Sequence, residues 1–243
     1  RPIERTGPLF QRIALRVVRS FGIGVWRLGE RLGLDLVGAP EAPRAPTDAA
    51  RQETFERLIA SARAGDGTVD TAACPYPVHE LLTHLVDRHR LLLHGSNRTT
   101  LDVLEPQPAR DLDTALLAVV ACDDGIWPLF YAVVARDRVD GVVTACTHVG
   151  RRRRFYVFAL LGDAAAPTTW TEGVVYALPR TGFRREWGNE WVSADPVPPE
   201  LRIRVRPAEF PLLDNVVGLS APLGFRSAIR ALRAAKRSRA AML

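Results

Sequence analysis

The sequence RLLLHGSNRTT, residues 90–100, is the stretch from which the rest of the chain can be interpreted. Three leucines run directly into His94, Gly95 and Ser96, and a short apolar run that ends in turn residues predicts a buried strand. Ligand sites are common where such a strand meets polar residues. His94 could offer a ring nitrogen to a hydroxyl, and Gly95 could expose its backbone N–H and C=O to a flat ligand. An ordinary turn fits the same residues.

Helical patterns dominate the region before this stretch. Apolar residues recur at threes and fours over residues 1–36 with arginines between them, which predicts a basic amphipathic helical extension. Residues 37–48 are rich in Pro and Ala and predict a linker. Helices are predicted from about residue 48 to 64 and from 78 to 89. The chain therefore reaches the 90–100 stretch from a helix.

Short strand patterns dominate the region after it. The predicted strands cover residues 115–121, 141–149, 155–161, 173–178, 189–193 and 201–205. Residues 101–113 predict an extended, structure-poor connection, and residues 129–136 fit either a helix or a strand. A basic helix is predicted from about residue 226 to the end. Helices followed by many strands predict an α+β fold, with residues 49–223 as one domain and 224–243 as a basic terminal helix.

The composition limits the class of partner without choosing one. Apolar residues make up 47% of the chain and charged residues 25%, and no apolar run reaches about 18 residues, so no membrane span is predicted. The net charge of +6 and the pI near 9.9 favour an anionic partner such as NAD, a nucleic acid or an acidic lipid. Residues 151–154 are four arginines, which fit a solvated hairpin end or a contact to phosphate or nucleic acid.

The cysteines and histidines predict neither a disulfide framework nor a metal site. Three cysteines without a CxxC pair favour a reducing compartment, and we predict a cytoplasmic protein. His79, His84, His89 and His94 lie five residues apart. Metal ligands on one helix face lie three or four residues apart, so this spacing predicts no metal centre.

Glu190 is the strongest candidate for a catalytic side chain. It lies in the sequence GNEWVS, a predicted short strand in which Trp191 and Val192 follow it. A carboxylate among apolar residues needs a partner or a function. Two alternatives remain open from the residues alone: Glu190 could face water, or it could pair with Arg184 or Arg185.

The HGS and NEW sequences together resemble two motifs of the ADP-ribosyltransferases of the poly-ADP-ribose polymerase type. HGSNRTT resembles the first motif, and Asn189-Glu190-Trp191, about a hundred residues later, resembles the Asn-Glu-Tyr of the third. The resemblance implies that His94 binds a ribose hydroxyl of NAD, that the Gly95 backbone holds the nicotinamide amide, and that Ser96 assists. It also implies that Glu190 stabilises the oxocarbenium-like transition state as the bond to nicotinamide breaks, and that the core is a split sheet.

The second motif of that family is the weakest part of the resemblance. The family has a strand that ends in an aromatic residue, usually Tyr, which stacks on nicotinamide, and then a helix with a serine. The corresponding strand here ends near Val119 and Val120, so the stacking residue is left open between Trp127 and Tyr131. The resemblance covers roughly residues 91–207. Residues 50–217 also resemble a bacterial family of unknown function that shares HGS, DDGIWP, VYALPR and EFP.

These observations lead to one main functional hypothesis and two alternatives. The main hypothesis is an enzyme that takes NAD as its substrate and acts as an ADP-ribosyltransferase or NAD glycohydrolase, with a protein or nucleic-acid acceptor. The first alternative is a non-catalytic module of the same fold that binds a nucleotide or nucleic acid through residues 151–154. The second is a membrane-surface protein anchored by residues 1–36.

Overall fold

The computed structural model describes residues 22–44, 46, 48–111, 114–149, 153–220 and 225–240. The described chain divides into two compact units. Unit 1 contains Arg44–Val134 and Trp170–Pro211, and unit 2 contains residues 22–43, Ala135–Thr169 and residues 212–240. None of the described helices is both long enough and apolar enough to cross a bilayer.

Unit 1 is built on a mixed sheet of eight described strands. Its order is β1-β10-β7-β2-β4-β9-β8, with β3 paired to β4 outside this path. The pair β1–β10 is parallel, and the others are antiparallel. The strands are β1 Thr68–Val69, β2 Leu92–Ser96, β3 Gln107–Asp111, β4 Thr114–Cys122, β7 Gly173–Leu178, β8 Arg184–Trp187, β9 Glu190–Ser193 and β10 Leu201–Val205.

The helices of unit 1 follow from local sequence signals. Helix α2, Ala49–Ala64, begins at the N-cap Asp48, whose side chain accepts a hydrogen bond from the backbone N–H of Arg51. Helix α3, Val78–Asp87, follows Pro77 and buries nearly all of its side chains. Helix α4, Trp127–Val133, has Pro128 in its first turn, where a missing N–H costs nothing. The ambiguous segment 129–136 is therefore largely helical.

Unit 2 is built on a three-stranded sheet in the order β11-β6-β5. Its strands are β5 Gly141–Val149, β6 Arg153–Leu161 and β11 Val217–Leu219. A helix over residues 22–31, here α1, and helix α5, Phe225–Ala240, belong to the same unit. Trp26, Phe155 and Leu232 meet in its apolar core, so this core joins segments from three distant parts of the sequence.

The chain leaves unit 1 after Val134 and returns to it at Trp170. These two residues form an antiparallel bridge, and the N–H of Thr171 donates to the carbonyl of Val133 at 2.9 Å. The segment between them contains the hairpin of β5 and β6. Residues 135–169 are therefore an insertion whose two ends are joined within unit 1.

The predicted α+β class is confirmed in its coarse form, since the described chain combines helices with a β-rich core of mixed sheets. The ADP-ribosyltransferase-like form of that core stays a prediction. The two-unit division differs from the predicted boundaries, which placed residues 49–223 in one domain, 37–48 in a linker and 224–243 in a separate helix. Much of the predicted first helix, residues 1–21, lies outside the described residues.

One local prediction is wrong. Residues 101–113 were expected to be structure-poor because of two prolines, yet Gln107–Asp111 forms strand β3. Among the described strands β3 pairs only with β4 and is an edge strand, where a residue without an N–H can face away from the ladder, so Pro108 is tolerated there.

Candidate functional site

The strands that carry the three motif segments are neighbours in the sheet of unit 1. Strand β4 lies between β2, which carries HGS, and β9, which begins with Glu190. Leu93 is opposite Cys122, and Cys122 is opposite Glu190, so these three residues form one row across the strands. Since neighbouring strands lie about 4.8 Å apart, the backbones of β2 and β9 are about 10 Å apart in this row.

His94 and Glu190 start from opposite faces of the sheet. Directly opposed residues of antiparallel strands share a face, so Glu190 shares the face of Leu93 and Cys122. His94 follows Leu93 and therefore shares the other face with its partner Tyr176. A ligand that contacts both His94 and Glu190 must therefore pass around the ends of the strands, from one face of the sheet to the other.

His94 bridges the place where β2 and β4 stop pairing. Only Leu93 and Cys122 pair between these strands in the described ladder, and beyond them the His94 Nδ1 lies 2.7 Å from the carbonyl oxygen of Val120. Because a carbonyl only accepts, Nδ1 carries the proton of this bond. Nε2 is then the ring nitrogen with which neutral His94 can accept a hydrogen bond from a hydroxyl.

Gly95 allows helix α4 to approach β2 closely. A Cβ atom added at Gly95 would lie 1.9 Å from the carbonyl oxygen of Pro128 and 2.8 Å from the backbone nitrogen of Ala132. Gly173, on the neighbouring strand β7, meets the same helix, because its added Cβ would lie 1.9 Å from the carbonyl oxygen of Ala132. Helix packing thus requires a residue without a side chain at Gly95, whether or not a ligand binds there.

The residues after Gly95 are held by a set of hydrogen bonds. The Ser96 hydroxyl accepts from the backbone N–H of Arg98 at 3.1 Å, and the Asn97 side-chain amide donates to the carbonyl of Ala132 at 2.6 Å. The buried Tyr176 hydroxyl donates to the carbonyl of Arg98 at 2.6 Å and accepts from the N–H of Leu101 at 3.1 Å. Burial raises the pKa of this tyrosine. Ser96 therefore shapes the turn after the strand.

Asp124 joins the second and third motif segments and was not singled out from the sequence. Its fully buried carboxylate accepts from the backbone N–H groups of Ile126 and Trp127, both at 2.8 Å, at the start of α4. Its other oxygen accepts from the side-chain amide of Asn189 at 3.4 Å, and the Asn189 carbonyl accepts from the N–H of Asp123 at 3.1 Å. An Asp shortly before a helix with Pro in its first turn is the sequence signal that could have identified this cap.

A charged rim lies where β4 ends and β9 begins. The Arg180 guanidinium lies 3.9 Å from a carboxylate oxygen of Asp123 and stacks 4.4 Å above the centre of the Trp191 ring system. Burial lowers the pKa of Arg180. Within the described chain, the buried Oδ1 of Asp123 and Nε1 of Trp191 have no hydrogen-bond partner. One buried acceptor and one buried donor are thus left for an enclosed water molecule to satisfy.

The residues proposed for the remaining roles are located as follows. Trp127 is buried at the start of α4, and Tyr131 is half-buried with its ring edge-on to Phe130 at 5.5 Å. Arg184 pairs with Glu186 at 2.7 Å, and Arg185 donates to the carbonyl of Gly188 at 2.6 Å, so both arginines have bonds within the β8–β9 hairpin. The choice of stacking residue stays open.

The four-arginine run is only partly described. Arg153 makes a two-pronged ion pair with Glu41 at 3.0 and 2.9 Å and lies over the ring of Phe155. Its charge is therefore partly compensated within unit 2. Residues 151 and 152, on which the nucleic-acid alternative also depends, lie outside the described residues.

Comparisons with known proteins add no further assignment. No family model, no curated protein and no solved structure matches this chain.

Proposed function

We propose that unit 1 binds NAD and cleaves its nicotinamide–ribose bond, as an ADP-ribosyltransferase or an NAD glycohydrolase. The observation that carries the proposal is the adjacency of β2, β4 and β9, which places the HGS and NEW segments about 10 Å apart across one strand. These segments are about a hundred residues apart in the sequence but lie close together in one sheet. Their proximity is independent support for assigning them to one site.

The chemistry assigns separate roles to the two polar side chains. His94, with its proton held on Nδ1 by the Val120 carbonyl, presents Nε2 as an acceptor for a ribose hydroxyl. Glu190 lies at the start of β9, next to a segment that Asp124 and Asn189 hold in place. As the bond breaks, nicotinamide leaves with the electron pair and the ribose carbon becomes positive. A preorganised carboxylate stabilises that charge before water or another acceptor adds.

The rim of Asp123, Arg180 and Trp191 supports a ligand at the same end of the strands. Its arginine is partly exposed and supplies a positive charge for a phosphate. An extended molecule with phosphates and amide groups, such as NAD, could contact this rim together with Glu190. The half-buried position of Glu190 leaves it accessible to such a molecule.

The test is to measure NAD binding by calorimetry while following the release of free nicotinamide. Wild-type protein is compared with Glu190→Gln and with Glu186→Gln, a matched control that removes one carboxylate charge from the adjacent strand β8. We expect Glu190→Gln to reduce release by at least about 100-fold, which is the usual cost of losing one preorganised electrostatic group. Glu186→Gln should retain it.

Each other outcome has a definite meaning. Release that Glu190→Gln leaves unchanged would overturn the catalytic assignment. Binding of NAD without release by the wild type would favour the non-catalytic, nucleotide-binding alternative. Absence of NAD binding would reject the proposal.

A further inference from the structure

Three side chains of unit 1 converge where the end of helix α3 meets helix α2. The Nε2 atom of His84 lies 2.8 Å from Oε1 of Glu56, and the Nε2 atom of His89 lies 3.1 Å from the same oxygen. The three potential ligand atoms all lie within 4.8 Å of one another. The His84 ring is buried and packs against Phe55, whereas the Glu56 side chain is 51% exposed. The cluster thus packs against the protein on the side of His84 and is open to solvent on the side of Glu56.

The convergence depends on the position at which α3 ends. His84 belongs to α3, but His89 follows the C-cap residue Arg88 and is no longer on the helix. The rule that helical ligands lie three or four residues apart therefore does not apply to this pair. The rings of His84 and His89 lie 5.6 Å apart, centre to centre, and the Nε2 atoms of both reach the carboxylate of Glu56 on α2.

We propose that Glu56 Oε1, His84 Nε2 and His89 Nε2 form a binding site for a divalent transition-metal ion, with Zn²⁺ as the best match. Two imidazoles and one carboxylate are a standard protein ligand set for zinc, and water completes a tetrahedral site on the open side. Ligand atoms at zinc distances are about 3.3 Å apart in a tetrahedron. The present separations of 2.8 and 3.1 Å need to widen by only a few tenths of an ångström.

Metal binding would change which ring nitrogen carries the proton in both histidines. Without metal, both Nε2 atoms must donate to the carboxylate. With metal bound, each neutral imidazole keeps its proton on Nδ1 instead.

Arg63 is the residue that opposes metal binding. Its Nη1 lies 3.4 Å from Nδ1 of His89, which can accept this contact only while its proton is on Nε2. Metal on Nε2 moves the proton to Nδ1 and removes that acceptor. The second guanidinium nitrogen of Arg63 already lies 3.3 Å from Glu200, so Arg63 can turn toward Glu200. Removal of Arg63 should therefore strengthen metal binding.

The site would join α2 to the segment that leads into β2. His89 lies three residues before the start of β2, and the N–H of Leu91 donates to the carbonyl of Leu85 at the end of α3. A bound ion would therefore stabilise the entry to the motif strand. This inference does not depend on the proposed NAD chemistry.

The experiment is a titration of the metal-free full chain with ZnCl₂ by calorimetry, followed by the visible spectrum of the Co²⁺ complex as a measure of tetrahedral coordination. The variants are His89→Gln and Glu56→Gln, and Glu53→Gln is the matched control on the exposed side of the same helix. His84 is avoided because it is buried. Circular dichroism confirms that each variant is folded.

We expect one high-affinity Zn²⁺ site in the wild type and in Glu53→Gln. His89→Gln and Glu56→Gln should bind at least about tenfold more weakly, since even outer-shell partners of a metal cost that much. Arg63→Gln should bind more tightly than the wild type. Equal binding by all variants, or no wild-type binding up to about 1 mM Zn²⁺, far above the level that structural zinc sites require, would overturn the proposal.

Discussion

The two sides of strand β2 are held in different ways. Toward β7, all five residues from Leu92 to Ser96 have register partners, and the Tyr176 hydroxyl ties the following loop to that strand. Toward β4, one register pair is followed by the ring of His94, which bonds to the Val120 carbonyl where a backbone ladder would otherwise continue. We call the β7 side of β2 the closed side and the β4 side the open side.

The difference shows how a sheet can be rigid and still present side chains to a ligand. The closed side fixes the strand with backbone hydrogen bonds, which depend little on residue type. The open side has one register pair, followed by the side chain of His94, which bonds to the backbone of β4. Substitutions on the open side should therefore affect function more than those on the closed side.

The largest effect on stability is expected at the two glycines on which helix α4 packs, Gly95 on β2 and Gly173 on β7. Gly95→Ala and Gly173→Ala would each place a methyl group 1.9 Å from a helix carbonyl, and we expect each to lower the free energy of unfolding by about 3 kcal/mol. Urea denaturation measures this loss. The control is Gly24→Ala, where an added Cβ meets nothing within 4 Å. Wild-type stability in Gly95→Ala would contradict the close approach of α4.

The next effect concerns the turn that supports the open side. Asp124→Ala removes the acceptor of two backbone N–H groups and of the Asn189 amide, and we expect a loss of about 2–3 kcal/mol in the free energy of unfolding. Asp124→Asn should cost less, because its oxygen can still accept. A double-mutant cycle with Asn189→Ala measures the coupling, and strictly additive losses would show that the two residues are energetically independent.

A smaller effect is expected on the closed side. Tyr176→Phe keeps the buried ring but leaves the Arg98 carbonyl and the Leu101 N–H without the hydroxyl, which should cost about 1–2 kcal/mol. Thermal unfolding measures the change. If the comparison of the two sides is sound, NAD binding by the folded variant should stay close to that of the wild type. A large loss of binding would place the loop after Ser96 in the site.

The smallest effect on stability is expected for His94→Asn. The asparagine amide can occupy the position of Nδ1 and still donate to Val120, so the free energy of unfolding should change by less than about 1 kcal/mol. The variant lacks Nε2, however, and NAD binding measured by calorimetry should fall. His94→Leu removes both functions and serves as the comparison. Undiminished binding by His94→Asn would remove His94 from the proposed site.

The sequence predicts those parts of the fold that depend on local pattern. Strand β10 alternates as expected, with Leu201, Ile203 and Val205 buried and its two arginines outward, because a half-buried strand has a period of two. The helix around 48–64 follows from its Asp48 cap and apolar stripe, and the helix around 78–89 follows from its apolar stripe. Strand β3 was missed because a proline excludes only the centre of a sheet, and the sequence does not show which strands lie at its edge.

The parts of the fold and of the candidate site that depend on contacts between distant residues could not be predicted from local sequence patterns. His94 and Glu190 were selected from the sequence, but their strand neighbours and their opposite faces follow only from register. Asp124 belongs to a short turn whose meaning depends on Asn189, which lies 65 positions further along the chain. The helical spacing rule was applied to His84 and His89, but α3 ends before His89, and the sequence does not show that Glu56 lies beside them.

The paired residues Val134 and Trp170 have a consequence for how the chain could change over evolution. Unit 1 itself holds these two ends together, and the entropic cost of closing a loop rises only slowly with its length. Its length could grow or shrink between related genes without altering the strand order around β2. Variation in that segment would then be uncoupled from the chemistry of the HGS and NEW strands.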